Sequence, residues 1–547
     1  MKKDNMADTV NYINNKLEIT FSYLYSKYIW FTTFCFLLMV TLMTFSAPFN
    51  EVLREDAYYF LLKGFEIAEG NWVPIHSHSI GWSMVLAVFL KVFGIRSIFN
   101  GMILSRVLSI LIMGLSIFPF SSLANKLTDK KSAIIAVLAF TFSPTLIRTG
   151  GSDYSGYSEP LFILLVISTM DYLADPDNKP RSIIIATILA SLSYYVRPNG
   201  IFMVGVILLY LIWLLWYKKV SLNWSFLLLV PFLFFLISLP HLYMRYKAYG
   251  SAFDFGKNSQ YFADSYAQSS SNNTPTSSIT SYLKTHSVDD YFRKFIYHGL
   301  FRIANQFYSL LGEVWLLLFF LGTVKYLILD RFPKFDLLFI LFLVSVAGLT
   351  PVFEVYGISR HLYVLLPFAF IISSKFLIDL LGQSNRNNIL VLLFILLLLV
   401  RTPLKPDLSI VNGTSITTPK VQDKWATWVA SNLRGNIAIV EGKDLIEMIL
   451  TDPKIGSKKL LNLSAEQLGI AAFRPDIYNR LEDAMRDFKK MQVNYLMLDT
   501  ENIKRRPYLY EVYNTEWSKH FILIKSFKSR PTDKWVIEDM DIFKVVY

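Results

Sequence analysis

The sequence predicts a polytopic α-helical membrane protein that carries a soluble α/β domain at its C-terminal end. Two observations predict the membrane part. Of the 547 residues, 53% are hydrophobic and 16% aromatic, and the apolar residues fall in repeated runs bounded by short polar clusters. A third observation predicts the other domain: from about residue 402 the apolar runs shorten and charges become frequent. The net charge of +12 is dispersed through short loops between the runs. That is the pattern of membrane insertion, and it argues for membrane lipids and no nucleic acid as partners. Cys35, the single cysteine, lies inside the first apolar run, so one chain offers neither a disulfide nor a thiolate metal site.

Residues 1–27 hold Lys2, Lys3, Lys16 and Lys27, a charge load that predicts a cytoplasmic N-terminus and an uncleaved first span. Spans are expected near 28–46, 102–123, 132–147, 160–174, 182–195, 201–217, 224–242, 311–329, 335–351, 362–380 and 388–401. Segment 80–95 is apolar but short, and charge decides its placement. If it lies along the outer surface as a juxtamembrane helix, the alternate loops fall on the cytoplasmic side. Those loops hold Lys126, Lys130 and Lys131, then Lys179 and Arg181, Lys218 and Lys219, Arg331 and Lys334, and Arg386. Each then obeys the positive-inside rule; if 80–95 spans, the rule fails repeatedly. The expectation is therefore about 11 transmembrane helices over 28–401, with long outer loops at 47–101 and 246–306. The middle of the second, 258–287, is rich in Ser, Asn, Thr and Gln and reads as a loop or lid. Residues 289–310 carry the helical spacing of a second surface-lying helix. The α/β domain, 402–547, is expected to be extracytoplasmic, with strands at 437–440, 495–498 and 522–524 and helices at 425–433 and 476–491.

Collecting the polar residues at outer helix ends gives Glu55 and Asp56 after the first span, His76 and His78 before the surface helix, and Arg106 opening the second span. Arg148, Asp153 and Glu159 follow, then Arg197, Arg245, Arg360 and His361. Arginines at outer ends run against the insertion bias. An anionic ligand such as a phosphate accounts for the cluster, as does snorkelling or pairing with an acid of the same rim. Asp56 could be a helix cap or a solvated loop acid, but Tyr58, Tyr59 and Phe60 around it argue for an interfacial position, where it suits a general base toward a hydroxyl or amine. Glu159 suits orienting an acceptor, holding a cation, or capping a helix dipole. His76 and His78 alone are a weak metal signal, and His241 and His361 read as interfacial residues.

The first-loop run Glu55-Asp56-Ala57-Tyr58-Tyr59, continuing to Ile67-Ala68-Glu69-Gly70, resembles the GT-C superfamily of membrane glycosyltransferases. The likeness is to the dolichyl-phosphate-mannose protein mannosyltransferase and aminoarabinose transferase branch. His78-Ser79-Ile80-Gly81-Trp82 through Val92-Phe93-Gly94 is similar to its loop and surface helix, and Arg106 with Leu108 to the arginine opening the second span. Ser158-Glu159-Pro160-Leu161, Val196-Arg197-Pro198 and Ser359-Arg360-His361-Leu362 with Pro367 resemble three further signatures. The acidic pair departs from the more usual Asp-Glu order, and Ser79 stands where a proline commonly follows the histidine.

The resemblance implies a polyprenyl-phosphate-linked sugar donor, a lipid, glycan or protein acceptor, and an inverting transfer on the outer face of the cell membrane. Asp56 is then the catalytic base. Glu55, His78, Arg106, Asp153, Glu159, Arg197 and Arg360 are the expected substrate-binding residues, with Arg197 and Arg360 on the leaving phosphate and Arg148 or Arg245 in reserve. No cofactor is certain; a divalent metal stays possible. Three other readings remain. An oligosaccharyltransferase-like enzyme would use a diphosphate-linked glycan and a metal on Asp56, Asp153 and Glu159. A secondary transporter would show charges near mid-membrane, and an inactive scaffold would tolerate loss of Asp56.

Overall fold

The computed structural model describes residues 23–382, apart from 73–77, 176–179, 218–222, 253–278, 354–358 and a few shorter stretches, together with parts of 428–547. Tyr28–Ser46 (α1) has no charged residue in its 19 positions, which at about 1.5 Å per residue match a hydrocarbon core of about 30 Å. Glu55–Ala68 (α2) and Gly81–Val92 (α3) follow. With 12 residues, α3 rises only about 18 Å and cannot span, as the loop charges require. Its buried residues Trp82, Leu86 and Leu90 recur every fourth position. Leu86 and Leu90 meet α2 at Gly64, where an added Cβ would sit 3.0 Å from Leu86 Cβ.

Ile98–Leu115 (α4) and Ile117–Leu127 (α5) run on as one apolar stretch. Lys130–Thr141 (α6) and Pro144–Gly151 (α7) meet at 47°, so the span expected at 132–147 is bent. Ser143 caps α7 by accepting from Leu146 N, and Pro144 opens it because proline has no N–H to continue the preceding helix. Glu159–Leu173 (α8) and Pro180–Val196 (α9) have 15 and 17 residues and are short for spans. Ile201–Trp216 (α10) is followed by Phe226–Tyr249 (α11), which Gly250 closes in the left-handed conformation at φ 72°.

Ile279–Thr285 (α12), Val288–Phe292 (α13) and Gly299–Val324 (α14) come next. Gly312, at φ 74° and ψ 168°, interrupts α14. Before it, Gly299, Ile303, Phe307 and Leu311 are buried at every fourth residue, the one-sided burial of an amphipathic helix. Asp336–Phe353 (α15) and Leu366–Gly382 (α16) complete the helical series. Every expected span up to residue 380 coincides with a helix. Among the described residues seven helices are long and apolar enough to cross a membrane alone, and eight if α6 and α7 form one crossing. The span expected at 388–401 and most of 258–287 lie outside the described residues.

Ion pairs tie the helices at the end of α16 remote from Arg360. Lys375 reaches Asp129 at 3.2 Å and Asp379 at 2.5 Å, Lys325 reaches Asp379 at 3.5 Å, and Lys126 reaches Asp171 at 2.8 Å. Exposed pairs contribute only about 0–1 kcal/mol each; their value here is to mark one end of the bundle.

Contacts divide the chain into two units, 1–93 with 103–255 and 287–412, and 94–102 with 256–286 and 413–547. Within the second, Asn436–Ile439 (β1), Val493–Asp499 (β2), Phe521–Phe527 (β3) and Met540–Val545 (β4) form a sheet in the order β1-β2-β4-β3. The β1–β2 pair is parallel and the other two are antiparallel. Leu481–Lys490 (α17) buries Leu481, Ala484 and Phe488 among Leu496, Leu498 and Phe543. The sheet meets the three expected strands and adds β4.

Candidate active site

Five segments of the first unit converge on one ionic cluster. Asp56 stands in the first turn of α2, where the helix N-terminus favours a carboxylate. His78 precedes α3, its ring 5.2 Å from that of Phe60, and Ser83 Oγ donates to the Phe60 carbonyl at 2.9 Å. This packing of α3 on α2 carries His78 Nε2 to 3.3 Å from Asp56 Oδ1.

The second acid is delivered by the turn before α8. Gly156 adopts φ +89° there, a conformation only glycine takes readily. Its carbonyl accepts from Trp82 Nε1 at 2.6 Å and its N–H donates to Ser109 Oγ at 2.8 Å, so α3 and α4 both clamp the turn. Arg106 braces the same turn, with Nε 3.4 Å from Ser155 Oγ and Nη1 3.5 Å from the Phe49 carbonyl. Glu159 then opens α8. Opposite it, Pro198 forces Arg197 into an extended conformation, φ −148° and ψ 140°, which ends α9 and turns the guanidinium sideways. Gly200 permits this sharp exit, since a Cβ there would lie 2.4 Å from the Ser193 carbonyl carbon. Arg360 and His361 come from the 3-10 turn Ser359–Leu365 that feeds α16.

The result is a continuous chain of contacts. His78 pairs with Asp56; Asp56 Oδ2 lies 2.8 Å from Arg360 Nη2; Arg360 Nε lies 3.8 Å from Glu159 Oε1. Glu159 is ion-paired with Arg197. Arg197 Nη2 reaches His361 Nδ1 at 3.3 Å, and Asn199 Nδ2 reaches the same nitrogen at 3.4 Å. Tyr157 lies under the Arg360 guanidinium at 5.5 Å and Phe162 under that of Arg197 at 5.9 Å, arrangements that stabilise a cation on an aromatic face.

Exposure separates the two acids. The Asp56 side chain is 21% exposed and that of Glu159 is 3%, so Asp56 is the one an incoming group can reach. Burial alone would push the Asp56 carboxyl up. The hydrogen bond and charge of His78, together with Arg360, outweigh burial and hold it well below the usual carboxylate range. Glu159 Oε2 and Arg360 Nε are buried and make no hydrogen bond among the described residues.

The structure brings Asp56, His78, Glu159, Arg197 and Arg360 into one cluster of contacts. Arg106 supports the turn that presents Glu159. Arg148 is exposed on α7, and Arg245 is fully buried on α11 beside Tyr194 and His241. The side chain of Glu55, and Asp153 and His76, lie outside the described residues. His361, read from sequence as an interfacial residue, belongs to the cluster. Asn199 joins it too; the signal was its place two residues after Arg197 in the proline-bearing turn. Of the three acids that would hold a divalent metal, Asp56 and Glu159 are described and Asp153 is not. Among the described residues no three His, Cys, Asp or Glu side chains group together, and Arg360 stands between the two acids, where a cation would have to sit.

The fold is similar to solved structures of membrane glycosyltransferases of the GT-C class. The oligosaccharyltransferase of Archaeoglobus fulgidus, crystallised with zinc and sulfate, matches with a TM-score of 0.56 at 14% identity, over 93% of this chain and 73% of that one. ArnT from Cupriavidus metallidurans, bound to undecaprenyl phosphate, matches with a TM-score of 0.55 at 11% identity, over 95% of this chain and 98% of that one. No family model and no curated protein sequence matches the chain. The chain therefore has the GT-C fold: a multi-pass helical bundle with juxtamembrane helices and a small C-terminal sheet region.

Proposed function

We propose that the protein is an inverting glycosyltransferase that moves a sugar from a polyprenyl-phosphate donor to a lipid, glycan or protein acceptor. The observation that carries this reading is Asp56, 21% exposed, in contact with an arginine that the buried Glu159 shares. Asp56 takes the proton of the acceptor hydroxyl or amine as that atom attacks the anomeric carbon. The bond from the anomeric carbon to the phosphate oxygen breaks, and its electron pair leaves with the phosphate. The lipid phosphate gains one negative charge, which Arg197 and Arg360 stabilise. A phosphate is already a stable anion, so no general acid is needed. The neighbour bound to undecaprenyl phosphate supports a donor of this kind.

The site lies at the end of α16 opposite the lysine-rich ion pairs around Lys375. With lysines retained on the cytoplasmic side, the cluster faces outward. The N-terminus is then cytoplasmic, the catalytic domain runs over 28–401, and the domain from 402 is extracytoplasmic. The described ion pairs collect at helix ends, which gives the transporter reading no support. No step here passes through a metal.

The test is donor choice by the full-length protein in proteoliposomes. A sugar on a polyprenyl monophosphate should be consumed, whereas the same sugar on a nucleotide should not. Consumption of only diphosphate-linked glycans would overturn this reading in favour of an oligosaccharyltransferase-like reaction.

A further inference from the structure

Arg360 Nη2 lies 2.8 Å from Asp56 Oδ2, so the group assigned to the leaving phosphate also grips the base. We infer that the donor phosphate and Asp56 compete for the Arg360 guanidinium, and that donor binding thereby frees the base. This deepens the proposed function and rests on its assignment of Arg360 to the phosphate.

Three features of the cluster carry it. The first is charge: among the described residues the carboxylates of Asp56 and Glu159 already hold the guanidinium groups of Arg197 and Arg360 in ion pairs. A phosphodiester adds one negative charge beside those pairs. Uncompensated charge is costly in a partly buried site, so an existing pair must yield an arginine to it. The second is which pair yields. Glu159, 3% exposed, has little access to water that would solvate it if Arg197 or Arg360 withdrew. Asp56 is 21% exposed and keeps His78 Nε2 at 3.3 Å, so it is the acid that loses an arginine at least cost. The third is the guanidinium itself: Arg360 Nε is buried without a hydrogen bond among the described residues, so the group has capacity for a further acceptor when it turns.

The consequence is an order of events. A carboxylate held by a histidine and an arginine is a weak base. Once the phosphate draws Arg360 away, Asp56 regains basicity while a donor is in place, and acceptor deprotonation is coupled to donor binding.

The experiment measures binding of undecaprenyl monophosphate to the full-length protein in detergent, with folding checked by size exclusion and thermal unfolding. Asp56→Asn keeps the shape and removes the competing charge. It should bind the lipid phosphate about tenfold tighter than wild type, the scale of close charge-pair coupling. Arg360→Gln should bind more weakly, and in Asp56→Asn/Arg360→Gln the tightening should vanish, because the gain is routed through Arg360. Asp56→Ser serves if the amide variant fails to fold. Unchanged or weaker binding by Asp56→Asn, with Arg360→Gln still weakened, overturns the competition and leaves the donor site standing. Tightening that persists in the double variant also overturns it, since a general field effect then suffices. Wild-type affinity in both Arg360→Gln and Arg197→Gln removes the phosphate site and the proposed function together.

Discussion

Asp56→Asn loses about two to four orders of magnitude in turnover, the range a positioned general base supplies, while the bundle stays folded. The amide preserves the side-chain volume and still accepts a hydrogen bond from Arg360 Nη2, now 2.8 Å from Oδ2. What it lacks is the capacity to take a proton. The paired binding result makes the loss diagnostic, because the same variant should hold the lipid phosphate more tightly than wild type. The loss should persist across neutral and mildly acidic pH. His78 and Arg360 hold the folded carboxyl below the usual carboxylate range, so it is available as a proton acceptor over that span. Turnover of a polyprenyl-phosphate sugar by both proteins, between pH 5 and 8, is the check. Equal turnover would remove Asp56 from the mechanism and move attention to Glu55.

Glu159→Ala is the substitution with the largest expected effect on stability. Its carboxylate is 3% exposed and is shared between Arg197, 11% exposed, and Arg360. Removing one partner of a buried pair typically costs about 3–5 kcal/mol, because the remaining charge is left uncompensated. Among the described residues Arg197 would then keep His361 Nδ1 at 3.3 Å and the Phe162 ring, neither of which is a carboxylate. Glu159→Gln should fall between wild type and alanine, since its amide oxygen can still accept from Arg197. Thermal unfolding in one detergent ranks the three proteins. An alanine variant as stable as wild type would show that Glu159 is not the anchor of the cluster.

The helices were legible in sequence because hydrophobic runs and loop charges report directly on insertion. The placement of 80–95 was read from the lysines at Lys126, Lys130 and Lys131, and α3, at 12 residues, is short for a span. The bend between α6 and α7 was written in Ser143-Pro144, but hydropathy averages over such a pair. Likewise the break at Gly312, visible only as a φ of 74°, is what separates the amphipathic helix from the span after it. The candidate site was legible by side and not by partner. Topology assigns a residue to one end of its helix, and it does not say which way the side chain points around the bundle. So the choice of Arg197 and Arg360 over Arg148 and Arg245 came from the resemblance, and their ion pairs with Glu159 and Asp56 became visible only in the fold. Arg106 turned to Ser155, and His361 entered through a contact with Arg197 across 164 positions of sequence.

The anomeric configuration of the product tests the central claim most directly. A polyprenyl-phosphate sugar of known anomeric configuration is supplied to the wild-type protein with an acceptor, and the product is read by NMR. A single displacement, with Asp56 as base and the phosphate held by Arg197 and Arg360, predicts complete inversion. Retention would require a covalent sugar intermediate on the protein and would contradict the account.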